Sequence, residues 1–270
     1  MFFAAGATPH ISVKAETLFE VFGVGITNSH LLGALGLIVL VWMFARTRSA
    51  VTGKKRHNFM TRLMLWAFEG LYETVKQVIP DEKWARRVAP LTITMFFFVI
   101  SQYYLGILPI VGPIIWHGAE ESAPLLRGGV ADLNMTFAIA IVTIVAAQVY
   151  AIKYLGFRGN AGRYFINPLR DPLGTFVGIL ELIAELSRLM GLSFRLFGNV
   201  LAGEVLLIMV GYLTQFVAPV ALQPFYLFEL FIGGIQAYIF FMLSTVFISL
   251  GMEHHGDDGE ATHQEVLTNK

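Results

Sequence analysis

The sequence predicts an all-α, polytopic membrane protein with five transmembrane crossings, the last two long and steeply tilted, plus one amphipathic surface helix. Three observations carry this prediction. Of 270 residues, 56% are hydrophobic and 14% charged, where a soluble domain carries about 25% charged residues, and the mean hydropathy is +0.64. The apolar residues gather into runs close to or beyond the ~20 needed to cross a bilayer. Lysine and arginine concentrate on alternate connecting segments, as the positive-inside rule expects of a multi-pass chain.

Residues 1–26 read as an outer-side N-terminal segment. Its apolar start, Met1 to Ala7, is too short for a signal peptide and lacks a basic n-region. The membrane domain then runs over 27–252. Its first span is 27–45. Residues 58–79 are too charged to cross: Phe59, Leu63, Trp66, Leu71, Val75 and Val78 interleave with Arg62, Glu69, Glu73 and Lys76. That pattern predicts an amphipathic helix on the membrane surface, with Glu69 and Glu73 on its wet face. Spans at 90–109 and 133–155 follow. The last two apolar segments, 173–215 and 219–252, are longer. At 1.5 Å rise per residue the first would extend ~64 Å, against a hydrocarbon core about 30 Å thick. Leu173 to Val217 contains no proline, so the expectation is an unbroken, strongly inclined helix rather than two short spans. Residues 253–270 form an acidic, hydrophilic tail, in which His254 and His255 are solvated.

Ten basic residues lie between Arg46 and Arg87 and four between Lys153 and Arg170, whereas Lys14 and Arg127 alone fall in the opposite-side segments. These loops are therefore expected in the cytoplasm, with the N-terminus outside and the C-terminus inside. The absence of cysteine excludes disulfides, thiol nucleophiles and thiolate metal sites. No HExxH or GxSxG occurs, so neither a metal centre nor a hydrolytic nucleophile is predicted, and no cofactor is implied. Nineteen basic residues balance nineteen acidic ones, which argues against nucleic-acid binding.

Arg195 is the anomaly. It interrupts an apolar stretch, where a cation at the bilayer centre costs roughly 2.5–3.5 kcal/mol and usually marks an ion pathway. An arginine can also snorkel to a headgroup, but Glu181, Asn199 and Glu204 share its region. At ~100° per residue, Glu181, Arg188 and Arg195, spaced by seven, fall within ~40° of one another. Asn199 is one turn beyond on the same face. Glu204 lies ~180° around and ~13.5 Å along from Arg195. In the last segment Glu229 and Gln236 share a face, and in an antiparallel hairpin Glu229 approaches Glu204. Two such buried carboxylates do not readily both ionise, which suits a proton relay. Glu185 and Arg188 at i,i+3 read equally as a structural ion pair. Asn134 reads as a cap or an interhelical contact, and Gln148 as an interhelical contact.

The run Arg195-Leu196-Phe197-Gly198-Asn199 with Ala202-Gly203-Glu204 resembles the signature of subunit a, the membrane stator subunit of the F0 sector of F-type ATP synthases. Ile235-Gln236-Ala237-Tyr238-Ile239-Phe240 is similar to that family's last-helix motif. Leu105-Gly106-Ile107-Leu108-Pro109 resembles the end of an earlier outward span, with Tyr103 and Tyr104 where the usual pattern has a small polar residue. The resemblance implies a proton-conducting, non-catalytic subunit working against a ring of c subunits, with peripheral-stalk b subunits and the rest of the F1F0 complex as partners. Arg195 would force the ring's carboxylate to release its proton and would separate two aqueous half-channels. Asn199, Glu204, Glu229 and Gln236 would line the outer one, and Glu181 with Arg188 the cytoplasmic one. Many relatives pair a histidine with a glutamate where this chain has Glu204 and Glu229. A Glu–Glu pair would share a proton, and paired carboxylates can also attract sodium; protons are the expected ion. The implied location is the bacterial plasma membrane. A secondary transporter is the rival reading, but no internal repeat supports it.

Overall fold

The computed structural model describes residues 16–21, 24–53, 59–108, 111, 115–117, 122–164 and 172–252. The tail at 253–270, most of the N-terminal segment and the basic Lys54, Lys55, Arg56 and Arg170 lie outside the described residues. The architecture is all-helical in its body: α1 (Asn28–Val51), α2 (Phe59–Val78), α3 (Glu82–Ile107), α4 (Leu133–Tyr164), α5 (Pro172–Thr214) and α6 (Ala218–Met252). Two short antiparallel hairpins are added to the all-α expectation. β1 (Thr17–Val21) pairs with β2 (Val24–Thr27) ahead of α1, and β3 (Ile115–His117) with β4 (Ser122–Pro124) between α3 and α4. Val24-Gly25-Ile26-Thr27 is rich in β-branched residues, which suit a strand.

Among the described residues, four stretches are long and apolar enough to cross a membrane: Asn28–Val51, Glu82–Ile107, Leu133–Phe157, and Leu173–Met252, which holds both α5 and α6. This is a polytopic membrane protein. α1 starts at a capping box, in which the Thr27 hydroxyl accepts from the His30 backbone N–H and the His30 ring engages the Thr27 N–H. It runs six residues past the predicted end at Ala45. Its Ile38, Val41 and Trp42 stay 58–65% exposed, a surface that suits lipid.

The second span begins earlier than expected. The sequence placed its start at Pro90, but α3 starts at Glu82 and carries Pro90 inside it. Asp81 caps the helix by accepting from Lys83 N–H at 2.9 Å, Glu82 sits in the first turn, and Arg86 pairs with Glu82 at 2.8 Å. Pro90 removes one backbone donor on an exposed side of the helix. α4 is two helices in one: Gly156, at φ 79°, takes the left-handed conformation glycine tolerates. Its apolar part ends at that kink, next to the predicted limit at Leu155. Asn134 is not the cap of α4; Asp132 is, accepting from Asn134 N–H at 3.0 Å.

α5 is continuous over 43 residues. A short 3-10 turn at Gln215–Val217, with Gln215 at φ 41°, folds α6 back against it. Two apolar clusters hold the bundle. One joins α2 (Leu71, Val75) to α3 (Val88, Ile93) and α6 (Phe241, Ile248). The other joins α3 (Val99, Tyr103), α4 (Ile139, Ala140), α5 (Leu192, Leu196) and α6 (Ala237, Phe240). Leu71 and Val75 of α2 thus face protein, while Phe59 and Trp66, each 73% exposed, form a separate apolar strip beside the charged face.

Candidate functional site

The polar residues predicted along α5 and α6 separate into three groups. The middle group surrounds Arg195. This side chain is exposed on α5, and among the described residues no carboxylate or hydrogen-bond acceptor engages it. Exposed Gly191, Gly198 and Ala202 share its side of the helix, leaving a flat strip. Beside it runs an open groove of about 500 Å³ lined by Gly198, Leu201, Ala202, Val205, Leu206 and Met209. One turn on, Asn199 donates to the Oε1 of Gln236 on α6 at 2.7 Å. The two helices are thereby pinned together next to the arginine, and Gln236 itself is buried.

The second group holds the two glutamates. The sequence reading set Glu204 against Glu229; in the structure each has a partner from another element. Tyr103 of α3, 1% exposed, donates its hydroxyl to Glu229 Oε1. Glu229 is itself 4% exposed and rests on Gly203, where any Cβ would run into its carboxylate. Glycine is required there by this close approach. Glu204, the next residue of α5, turns Oε2 toward Arg127 Nη2 at 3.6 Å. Arg127 arrives from the segment between β4 and α4. Sequence reasoning missed both partners: Tyr103 was noted only as an unusual residue, and Arg127 only as a loop cation.

The third group lies toward the N-terminal half of α5. Arg188 meets Glu185 at 3.2 Å, while Gln148 of α4 donates to Glu185 at 2.9 Å and Tyr164 donates to it at 3.2 Å. Asn160 donates in turn to Gln148 at 3.1 Å. Gln148 is therefore the interhelical contact expected. The Arg188 guanidinium also sits over the Phe247 ring, 5.4 Å from its centroid. The predicted Glu181 is half-buried one turn before Glu185. Among the described residues, no group of three or more His, Asp or Glu side chains could hold a metal ion.

Comparison with known proteins places this arrangement in a family. Residues 29–249 match the family described as ATP synthase A chain. The ATP synthase subunit a of Buchnera aphidicola subsp. Baizongia pistaciae is 26% identical over 226 residues, covering 82% of this chain and 81% of that one. That of Anaeromyxobacter dehalogenans is 32% identical over 236 residues, covering 83% of this chain and 57% of its own longer one. That of Alkalilimnicola ehrlichii is 28% identical over 225 residues, with 83% and 85% covered. With a match that takes in all of α2 to α5 and nearly all of α1 and α6, this chain belongs to the ATP synthase A chain family, that of subunit a of F-type ATP synthases.

Proposed function

We propose that this chain is the proton-conducting stator subunit of a rotary F-type ATP synthase, with Arg195 as the charge that separates two half-channels against a ring of c subunits. Membership of the family supports the coarser statement, that the chain is a membrane component of the F0 sector taking part in ion transport. The observation that carries the finer one is the state of Arg195. A guanidinium inside an apolar stretch is costly, and here it is exposed on a strip of small residues with no described partner. The chain leaves that charge to be met by another molecule. A helix carrying a carboxylate fits the strip, because Gly191, Gly198 and Ala202 permit close approach.

In this reading five helices cross the membrane, with α2 on the cytoplasmic surface, α5 and α6 strongly inclined, the N-terminus outside and the tail at 253–270 in the cytoplasm. The membrane is the bacterial plasma membrane. Glu204, Glu229, Gln236 and Asn199 line the outer half-channel, and Glu181 and Arg188 the cytoplasmic one. A proton entering from outside reaches the ring's carboxylate after that carboxylate has passed Arg195. It rides the ring almost a full turn and leaves on the cytoplasmic side, where the guanidinium stabilises the ionised form. A membrane potential supplies ~2.3 kcal/mol per charge per 100 mV, and rotation passes this to nucleotide sites on other subunits. The peripheral-stalk b subunits hold the chain against the torque.

Cross-linking tests the placement, and the chain has no cysteine of its own to compete with one introduced. Ala202→Cys, combined with a cysteine on the ring's outer helix, is expected to give an oxidative cross-link in the assembled complex. Ile141→Cys on α4, 47% exposed, is expected to give none. The reverse pattern would move the ring to another face and remove Arg195 from its path.

A further inference from the structure

The segment that delivers Arg127 is an unusual part of the fold. Between Pro124 and Asp132 the chain leaves β4, runs into the bundle and turns through Gly129–Ala131 before α4 begins. Val130 and Ala131 are 0% and 1% exposed. The segment is seated by close backbone approach and by hydrogen bonds. A Cβ on Gly106 of α3 would stand 3.1 Å from the Gly128 Cα, and one on Gly129 would strike the Gln102 amide. Asn28 donates to Pro124 O at 3.1 Å, and Ser29 lies within 3.3–3.4 Å of the carbonyls of Gly128 and Gly129. Arg127 is therefore a fixed charge, 4% exposed, and not a flexible surface cation. It points at Glu204, whose side chain keeps 38% of its surface open. The Glu229 carboxylate lies against Gly203, the residue before Glu204.

An open carboxylate such as Glu204 offers the oxygen ligands that a hard cation seeks. A guanidinium 3.6 Å from Glu204 Oε2 changes which cation can stay. A metal ion gains only electrostatic attraction from the carboxylate, must shed water, and meets the fixed positive charge in a partly dry site. A proton meets the same opposing charge, but it forms a covalent O–H bond and needs a single oxygen, whereas a metal ion has neither advantage. We propose that Arg127 is a specificity-determining residue of the stator: it excludes sodium from Glu204 and keeps the outer approach open to protons. The proposal rests on the reading of Glu204 as part of the outer half-channel. It sets a second point of ion discrimination in this chain, apart from any in the ring.

The test is ATP-driven proton pumping by vesicles carrying the assembled complex, titrated with sodium chloride against choline chloride at constant ionic strength. Wild type is expected to be indifferent to the cation. With Arg127→Gln the rate is expected to fall about 3-fold or more as sodium rises to ~100 mM, since the charge that opposed the ion is gone. Arg127→Lys, which keeps the charge, restores indifference. An Arg127→Gln complex that pumps equally in sodium and choline would overturn the proposal, as would sodium inhibition of wild type, a result independent of how well any variant assembles. A wild-type complex that pumps no protons at all would instead count against the underlying functional reading, so the two failures are distinguishable.

Discussion

The two ends of the polar seam are built differently. Toward the N-terminal half of α5, one carboxylate, Glu185, receives Gln148, Tyr164 and Arg188 together, and Asn160 braces Gln148 from behind. Beyond Arg195, two carboxylates each have a single side-chain partner among the described residues, Tyr103 for Glu229 and Arg127 for Glu204, and Glu204 remains open. A carboxylate whose one oxygen receives three donors, as Glu185 Oε1 does, is held in one geometry. A carboxylate with one partner and an open side can take up an ion and hand it on. The Glu185 cluster thus braces α4 against α5 through its carboxylate, with Arg188 of the proposed cytoplasmic half-channel held at its edge, while Glu204 stays open beyond Arg195, which has no partner among the described residues.

Substitutions that separate these roles sharpen the comparison. Gly203→Leu should have the largest effect among them, because its side chain enters the space of the Glu229 carboxylate. Overpacking of this kind costs about 1–3 kcal/mol, and proton pumping per assembled complex is expected to fall about 10-fold or more. Glu185→Gln should do far less. The amide oxygen still accepts from Gln148 and Tyr164, so pumping is expected to stay within about 3-fold of wild type. A loss equal to that of Gly203→Leu would make the inner cluster an ion-carrying site.

Lys76→Ala should do least. Its ammonium meets Glu73 at 2.5 Å on the exposed side of α2, and that hydrogen bond holds Lys76 above the ordinary lysine range. A raised basic group contributes its stability in full below its unfolded value, about 10.4, and loses it only as pH climbs through the higher folded value. Such a pair is screened by solvent. The thermal midpoint of the complex is expected to be the same for Lys76→Ala and wild type at neutral pH, and a measurable drop would show that α2 is held by its charges.

How far the sequence went in each region follows from the range of the signal. Arg195 is visible by itself, since a cation in an apolar run is an anomaly without any partner. Asn199 and Gln236 are visible through helical spacing and the hairpin. Tyr103 and Arg127 meet their glutamates across 126 and 77 residues of chain, and no periodicity connects them. Tyr103 did stand out as a residue out of pattern, which was the one available clue. The head of α3 is legible in Asp81-Glu82, a helix-start signature, but the charges of 82–87 and the proline at 90 make the apolar run shorter than the helix. The buried course of 124–132 left only its paired glycines as a trace, because close backbone approach is a tertiary fact.

The central claim is that Arg195 couples ion flow to rotation. It is tested most directly by ATP synthesis in vesicles containing the assembled complex, driven by an imposed proton gradient, for wild type and Arg195→Ala. The account predicts that synthesis disappears in the variant while the complex still assembles, with a passive proton leak as the barrier between the half-channels is lost. Near-normal synthesis by Arg195→Ala would contradict it and return Arg195 to a structural role.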